Sequence, residues 1–166
     1  MNTITYAWFR LTDFLEGLGE WIGLLGLRLL LAWEFYEAGI EKKNGENWFG
    51  HVQEKFPFPF DVVPVDVSWW MATWFEIVGG IALAIGLFTR FSAISLIILT
   101  IVATAAVHWP DSYSSFSELL QGYAITDKGF GNFKLPVIFL AMLLPLMCFG
   151  PGKASVDHFL RTRFGR

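Results

Sequence analysis

The chain is poor in charge and almost without cysteine. Only 16% of its 166 residues are Asp, Glu, Lys or Arg, against about 25% in an ordinary soluble domain. Twelve Lys and Arg stand against fifteen Asp and Glu, so no basic surface of the kind that grips nucleic acid is expected. The single cysteine, Cys148, excludes an internal disulfide and an internal Cys-x-x-Cys redox pair. Any redox chemistry would need a bound cofactor or a partner. No phosphate-binding glycine loop is present, and the four Met residues are scattered rather than gathered into a cuprous-ion site. Residues 1–20 lack a basic leader and contain Asp13, Glu16 and Glu20, so they are not read as a signal peptide.

What the chain does have is apolar bulk. Hydrophobic residues make up 54%, mean hydropathy is +0.49, and there are 8 Trp and 17 Phe. One modest core cannot hide that much apolar side chain, and lipid is the expected solvent for the excess. The expected fold is all-α, an integral membrane four-helix bundle forming one domain over residues 1–166. Its helices fall at about 21–41, 69–88, 91–108 and 131–150. Residues 1–20 read as an interfacial segment, with Trp8, Leu11, Leu15 and Leu18 at roughly helical spacing. Outer loops cover 42–68 and 109–130, and a short amphipathic helix is expected over 116–123. The link Thr89-Arg90 is so short that only an antiparallel helical hairpin satisfies it. Phe56-Pro57-Phe58-Pro59-Phe60 cannot be regular helix, because proline lacks the amide donor and restricts its predecessor.

Four crossings put both termini on one side. Arg10, Arg90, Lys153, Arg161, Arg163 and Arg166 lie there, against Lys42, Lys43, Lys55, Lys128 and Lys134 opposite. The basic tail after the fourth helix favours cytoplasmic termini.

Ionisable residues inside the apolar runs then acquire positions. Glu34, Glu37 and Glu41 are spaced three and four apart, on one stripe of the first helix. Glu76 lies seven residues into the second run, roughly 10 Å deep. His108 ends the third. All approach the outer face, and an ionisable group at membrane depth is a functional candidate by default. In one reading Glu76 and His108 exchange protons with a quinone or similar apolar redox molecule, Glu37 orients them, and Trp33, Trp74 and Trp109 wall the pocket. In a second, Glu37, Glu76 and His108 ligate copper or another divalent metal. In a third, the Phe-Pro loop docks a partner enzyme on a passive scaffold. The plain alternative is that these groups hydrogen-bond across helices or reach the wet boundary, and that the aromatics only pack. Arg28 is expected to be structural, snorkelling to the cytoplasmic side or pairing with Asp157. Gly79, Gly80 and Gly86 read as packing glycines, and Gly150-Pro151-Gly152 as a helix stop.

Three stretches carry a resemblance. Arg28-Leu29-Leu30-Leu31 leads into Glu37-Ala38-Gly39-Ile40-Glu41-Lys42. Glu76-Ile77-Val78-Gly79-Gly80 runs on to Gly86-Leu87-Phe88-Thr89-Arg90. The third is Gly150-Pro151-Gly152-Lys153-Ala154-Ser155-Val156-Asp157. With these the chain resembles the DoxX-like family of small bacterial membrane proteins. The resemblance implies a four-helix bundle in the bacterial inner membrane and a subunit of a membrane oxidoreductase system, linked to thiosulfate–quinone electron transfer or to thiol and superoxide defence. It implies a protein partner or homo-oligomer. It marks Arg28, Glu37, Glu76, Arg90 and Asp157 as family positions. Phe56 to Phe60, Val107-His108-Trp109 and Gly122-Tyr123-Ala124-Ile125 resemble a narrower branch, which accompanies enzymes that modify cysteine-rich, copper-handling peptides.

Overall fold

The structure is a computed structural model that describes residues 2–124 and 131–165, without the side chain of Thr3. Ile125 of the branch pattern, Lys128 and Arg166 of the charge tally, and the last residues of the 109–130 loop lie outside the described residues.

Helix α1 (Thr3–Asn44) is one unbroken helix of 42 residues. The Asn2 side chain caps it by accepting from the Ile4 amide at 3.0 Å. The first proline in the chain is Pro57, and interior glycines cost a helix only about 1 kcal/mol each. Nothing therefore separates the 1–20 segment from the apolar run that follows it. Helix α2 (Val65–Ile85) starts directly after Pro64 and stops at Gly86, whose φ of 69° is the left-handed cap that glycine accepts. Helix α3 (Thr89–Ala103) begins three residues later and continues into a π-helical turn, Thr104–His108. Helix α5 (Lys134–Phe149) carries Pro145 in its interior.

The described residues contain six α-helices. Two are short and locally capped: one lies within the expected 116–123, and the other, after α5, is additional. In α4 (Phe116–Leu119) the Ser115 hydroxyl accepts from the Glu118 amide, while Glu118 accepts from the Ser114 amide. In α6 (Val156–Phe164) the Ser155 hydroxyl accepts from the His158 amide. No strand occurs among the described residues. Helices α1, α2, α3 and α5 carry the packing, with α1 against α2, α2 against α3, α3 against α5, and α5 back against α1. Leu31, Ala32, Phe35, Leu83, Ala93, Leu96, Leu143 and Leu146 form the core between them. Helix α2, and α3 with its π turn, are long and apolar enough to cross a membrane. Fewer than half of the residues along either span are fully buried.

One end of this bundle is closed by Arg28 and Asp157. Arg28 is 1% exposed. Its guanidinium neither snorkels nor forms an ion pair with Asp157 at bonding distance. It donates instead to the carbonyls of Pro151 and Ala154, both at 2.9 Å, and more loosely to that of Ala84 at 3.4 Å. Asp157 is occupied elsewhere: its two carboxylate oxygens accept from the Phe88 and Thr89 amides at 2.9 Å, capping the start of α3. Arg90 donates to the Cys148 carbonyl at 3.3 Å. Arg28 thus ties α1, and Asp157 the α2–α3 turn, to the segment after α5, while Arg90 ties α3 to the end of α5. Residues Ile4 to Leu18 of α1 project past this end, with every large apolar side chain among them exposed.

Candidate functional site

The opposite end of the bundle holds a cavity, and its position follows from how closely α1 and α2 cross. A Cβ on Gly80 would lie 2.9 Å from the Ala32 carbonyl oxygen and 3.1 Å from the Tyr36 amide nitrogen. A Cβ on Gly39 would lie 2.7 Å from Ile77 Cγ1 and 2.9 Å from the Ile77 amide nitrogen. Both contacts involve backbone, so only glycine permits this approach. One turn beyond Gly39 along α1 stands Lys42. Its Nζ donates to both carboxylate oxygens of Glu76 at 2.9 Å. Glu76 is 3% exposed, and this pairing answers its charge where water does not reach.

His108 arrives by a different device. The Trp109 amide bonds to the Thr104 carbonyl at 2.7 Å, one residue further back than in an α-helix. Such π turns re-aim the side chains that follow them and recur at functional sites. Asn132, just before α5, holds the histidine twice. Its amide donates to the His108 carbonyl at 2.9 Å, and its side-chain oxygen lies 2.5 Å from His108 Nδ1. With Nδ1 donating to that oxygen, Nε2 of the neutral ring is left as the acceptor.

Glu76, Lys42 and His108 line one cavity of about 500 Å³ between α2 and α3. The rest of its wall is almost entirely apolar: Met71, Ala72, Phe75, Ile98, Leu99, Val102, Ala103 and Val107, with Ser68 and Ser95. The 45–64 segment closes it from above with Trp48, Phe49, Phe56 and Phe60. Phe49 stacks edge-on against Trp48, Phe56 and Trp69, with ring centroids 5.0–5.2 Å apart. The Phe-Pro stretch is therefore divided in its duties: Phe56 is buried, Phe60 lines the cavity, and Phe58 is 81% exposed.

Of the residues singled out by sequence, Glu76 and His108 come together. Glu37 does not. It is exposed on α1, off the cavity wall. Its stripe-mate Glu41 is exposed as well, and the α1 side chain that reaches inward is Lys42. The expected aromatic wall is also different. Trp33, Trp74 and Trp109 are 66%, 46% and 42% exposed and none lines this cavity. The expected three-ligand metal cluster of Glu37, Glu76 and His108 is not assembled. Among the described residues no group of three His, Cys, Asp or Glu side chains is placed to hold a metal ion. Lys42, Ser68 and Asn132 were missed. Lys42 had a usable signal, an opposite charge at the same depth as Glu76 on a neighbouring helix, but it was read as a loop charge.

The arrangement suits a flat, apolar molecule with polar atoms at its edges. The aromatic and aliphatic walls take the body, and the Lys42–Glu76 pair and His108 meet hydrogen-bonding or proton-exchanging atoms.

A protein of Haemophilus influenzae, described as uncharacterized, is 43% identical over 147 residues, covering 89% of this chain and 89% of the relative. No solved structure matches the chain. The family model described as DoxX matches residues 23–109, a stretch that holds Arg28, the Gly39–Gly80 crossing, the Lys42–Glu76 pair and His108. By that match and that relative, the chain belongs to the DoxX family.

Proposed function

We propose that this protein is an integral membrane protein that binds a quinone-like apolar redox molecule in the α2–α3 cavity, near the outer leaflet, as a subunit of a membrane redox system. Four crossings are formed by α1, α2, α3 with its π turn, and α5. The outward-facing surface supports this reading. Trp70, Trp74, Val78, Ile81 and Ile85 on α2, with Ile94, Ile98 and Ile101 on α3, are all exposed, an apolar face far wider than a soluble monomer carries. At 1.5 Å per residue α1 is about 63 Å long, roughly twice the hydrocarbon thickness. Its first half therefore lies outside the bilayer or in its interface. Arg90, Lys153, Arg161 and Arg163 sit at the end where both termini emerge, so that end faces the cytoplasm of the bacterial inner membrane.

The observation that carries the ligand assignment is the pairing of an apolar, aromatic-walled cavity with ionisable groups of fixed geometry. A quinone takes up protons when it is reduced. Glu76, Lys42 and His108 are the titratable side chains on the described wall, and His108 Nε2 is left able to accept a proton. Trp48 lines the cavity, so binding can be followed by quenching of tryptophan fluorescence. Titration of the purified protein in detergent with a benzoquinone or naphthoquinone should give saturable quenching. Glu76→Gln and His108→Ala should each weaken it several-fold. Absence of saturable quenching in the unaltered protein sinks the reading.

One observation favours a second role beside the first. Phe58 is 81% exposed in the loop whose Phe49, Phe56 and Phe60 line the cavity, which suits docking of a partner protein outside the membrane. Phe58→Ser should then abolish partner recovery while leaving quinone quenching intact.

A further inference from the structure

The first half of α1 is the part of the molecule that the fold leaves uncovered. It belongs to one unbroken helix without proline, so it leaves the bilayer along the direction in which α1 crosses. Every large apolar side chain between Ile4 and Leu18 is exposed. A surface of that kind marks an interaction site.

The apolar residues follow a rule. Ile4, Trp8, Leu11, Leu15, Leu18 and Ile22 alternate steps of four and three, the 3.5-residue repeat of a coiled-coil seam. The same steps reach Leu25 and Leu29 inside the apolar run. At about 100° per residue, this stripe lies opposite Leu24, Leu27, Leu31 and Phe35, which α1 turns to its own bundle. A second helix can therefore run along the stripe without meeting the rest of the chain. Flanking positions are Thr5, Thr12 and Gly19 on one side and Ala7, Phe14 and Trp21 on the other, all uncharged. Arg10, Asp13, Glu16 and Glu20 fall on the remaining positions. Two copies of this helix thus meet along the seam without like-charge repulsion.

From these features we infer that a second copy of the chain occupies the stripe, the two α1 helices forming a parallel, in-register coiled coil from Ile4 to Ile22 beyond the cytoplasmic face of the bilayer. The inference rests on the membrane reading above and is independent of the ligand. A bilayer holds both copies the same way up and at the same height, so like positions of the two helices face each other. Leu11 and Leu18 take d positions, and Trp8, Leu15 and Ile22 take a positions, a set that includes the leucine-at-d, isoleucine-at-a pairing of two-stranded coils. The seam is about 27 Å long. Trp8 and Phe14 are 62% and 64% exposed, and each ring buries on the order of 100 Å². With the Leu and Ile side chains of both copies, the seam reaches the roughly 1,000 Å² that a stable interface needs.

The test uses the full chain in native membranes washed with alkaline carbonate, with Cys148→Ser removing the single cysteine. Leu11→Cys, Leu18→Cys, Tyr6→Cys and Asp13→Cys are introduced singly and treated with a mild oxidant. A disulfide needs Cα atoms within about 7 Å. The two seam positions should therefore link two copies at least about tenfold faster than Tyr6→Cys and Asp13→Cys on the other side of the helix. Equal rates at all four positions, or no link at Leu11 and Leu18, overturn the inference. Leu11→Asp combined with Leu15→Asp should raise the dissociation constant of the purified dimer in detergent at least about a hundredfold. Both side chains are exposed, so protease resistance of residues 150–157 should stay unchanged and show that the bundle is folded. Purified protein that is monomeric with or without these substitutions overturns the second copy and gives the stripe to a different partner. A fluorophore on Leu11→Cys that is quenched by nitroxide lipid places the stripe in the membrane interface and overturns the inference as well. Release of the chain by the carbonate wash removes the membrane reading and the inference with it.

Discussion

Lys42 Nζ lies 2.9 Å from both carboxylate oxygens of Glu76, bridging α1 and α2 one turn beyond the point where Gly39 brings the two helices together. The pair is asymmetric in exposure, with 4% of the Glu76 side chain accessible and 18% of the Lys42 side chain. The carboxylate therefore depends on the lysine more than the lysine depends on the carboxylate.

Removing Lys42 alone leaves a buried carboxylate without its counter-charge. Lys42→Met should destabilise the protein by about 3–5 kcal/mol, whereas Lys42→Met with Glu76→Leu should recover most of that loss. Thermal unfolding in detergent of the two singles and the double checks it. Simple additivity of the single losses would show that the pair contributes no coupling.

Glycines on α1 and α2 should separate into two classes. Gly80→Ala drives a methyl group against the Ala32 carbonyl, which cannot give way without parting the helices. It should cost several kcal/mol and weaken quinone quenching. Gly26→Ala meets nothing within 4 Å and should be neutral, or stabilising by up to about 1 kcal/mol through helix propensity. Equal unfolding temperatures for the two variants would contradict the close crossing.

Arg28 acts through the fork of its guanidinium. Arg28→Lys keeps the charge but cannot reach the Pro151 and Ala154 carbonyls together. Each lost charged hydrogen bond is worth about 1.5–3 kcal/mol. The expected result is a lowered unfolding temperature and faster proteolysis within residues 150–157, read by limited digestion and mass spectrometry.

Asp157→Ala removes the acceptor for two amides at the start of α3. A loss of about 0.5–2 kcal/mol is expected, with faster hydrogen exchange at Phe88 and Thr89. Asp157→Asn, which keeps one acceptor oxygen, should fall between the two. Unchanged exchange at both amides in Asp157→Ala would remove the capping role.

Much of this arrangement was legible in the residues themselves. Apolar runs and the short link between them give the α2–α3 hairpin, although the turn falls at Gly86–Phe88, just before the expected Thr89-Arg90, and a lone glutamate seven residues into an apolar run marks Glu76. That Glu76 and His108 line the same cavity follows from chain direction. What could not be read depends on contacts between distant parts of the chain. Arg28 is satisfied by main-chain carbonyls, which every residue possesses and no pattern reveals. Lys42 rather than Glu37 reaches Glu76, from the stretch of α1 that Gly39 and Gly80 bring against α2. The aromatic wall comes from Trp48, Phe49, Phe56 and Phe60, which sit in an irregular segment without periodicity. The expected Trp33 and Trp109 follow helical spacing but are largely exposed, and Trp74 borders a second, smaller cavity on the α2–α3 seam rather than the larger one. The π turn before His108 left no mark in composition that was recognised.

The fastening by Pro151, Ala154 and Asp157 has a consequence for biosynthesis. Those groups complete the environment of a guanidinium made more than a hundred residues earlier. Until they arrive, Arg28 has no carbonyls from that segment and the first amides of α3 have no carboxylate. A nascent chain stalled after residue 149 should stay open to protease at the Phe88–Thr89 turn, and one released beyond Asp157 should be closed. Synthesis of residues 150–157 thus locks a bundle whose other helices are already made.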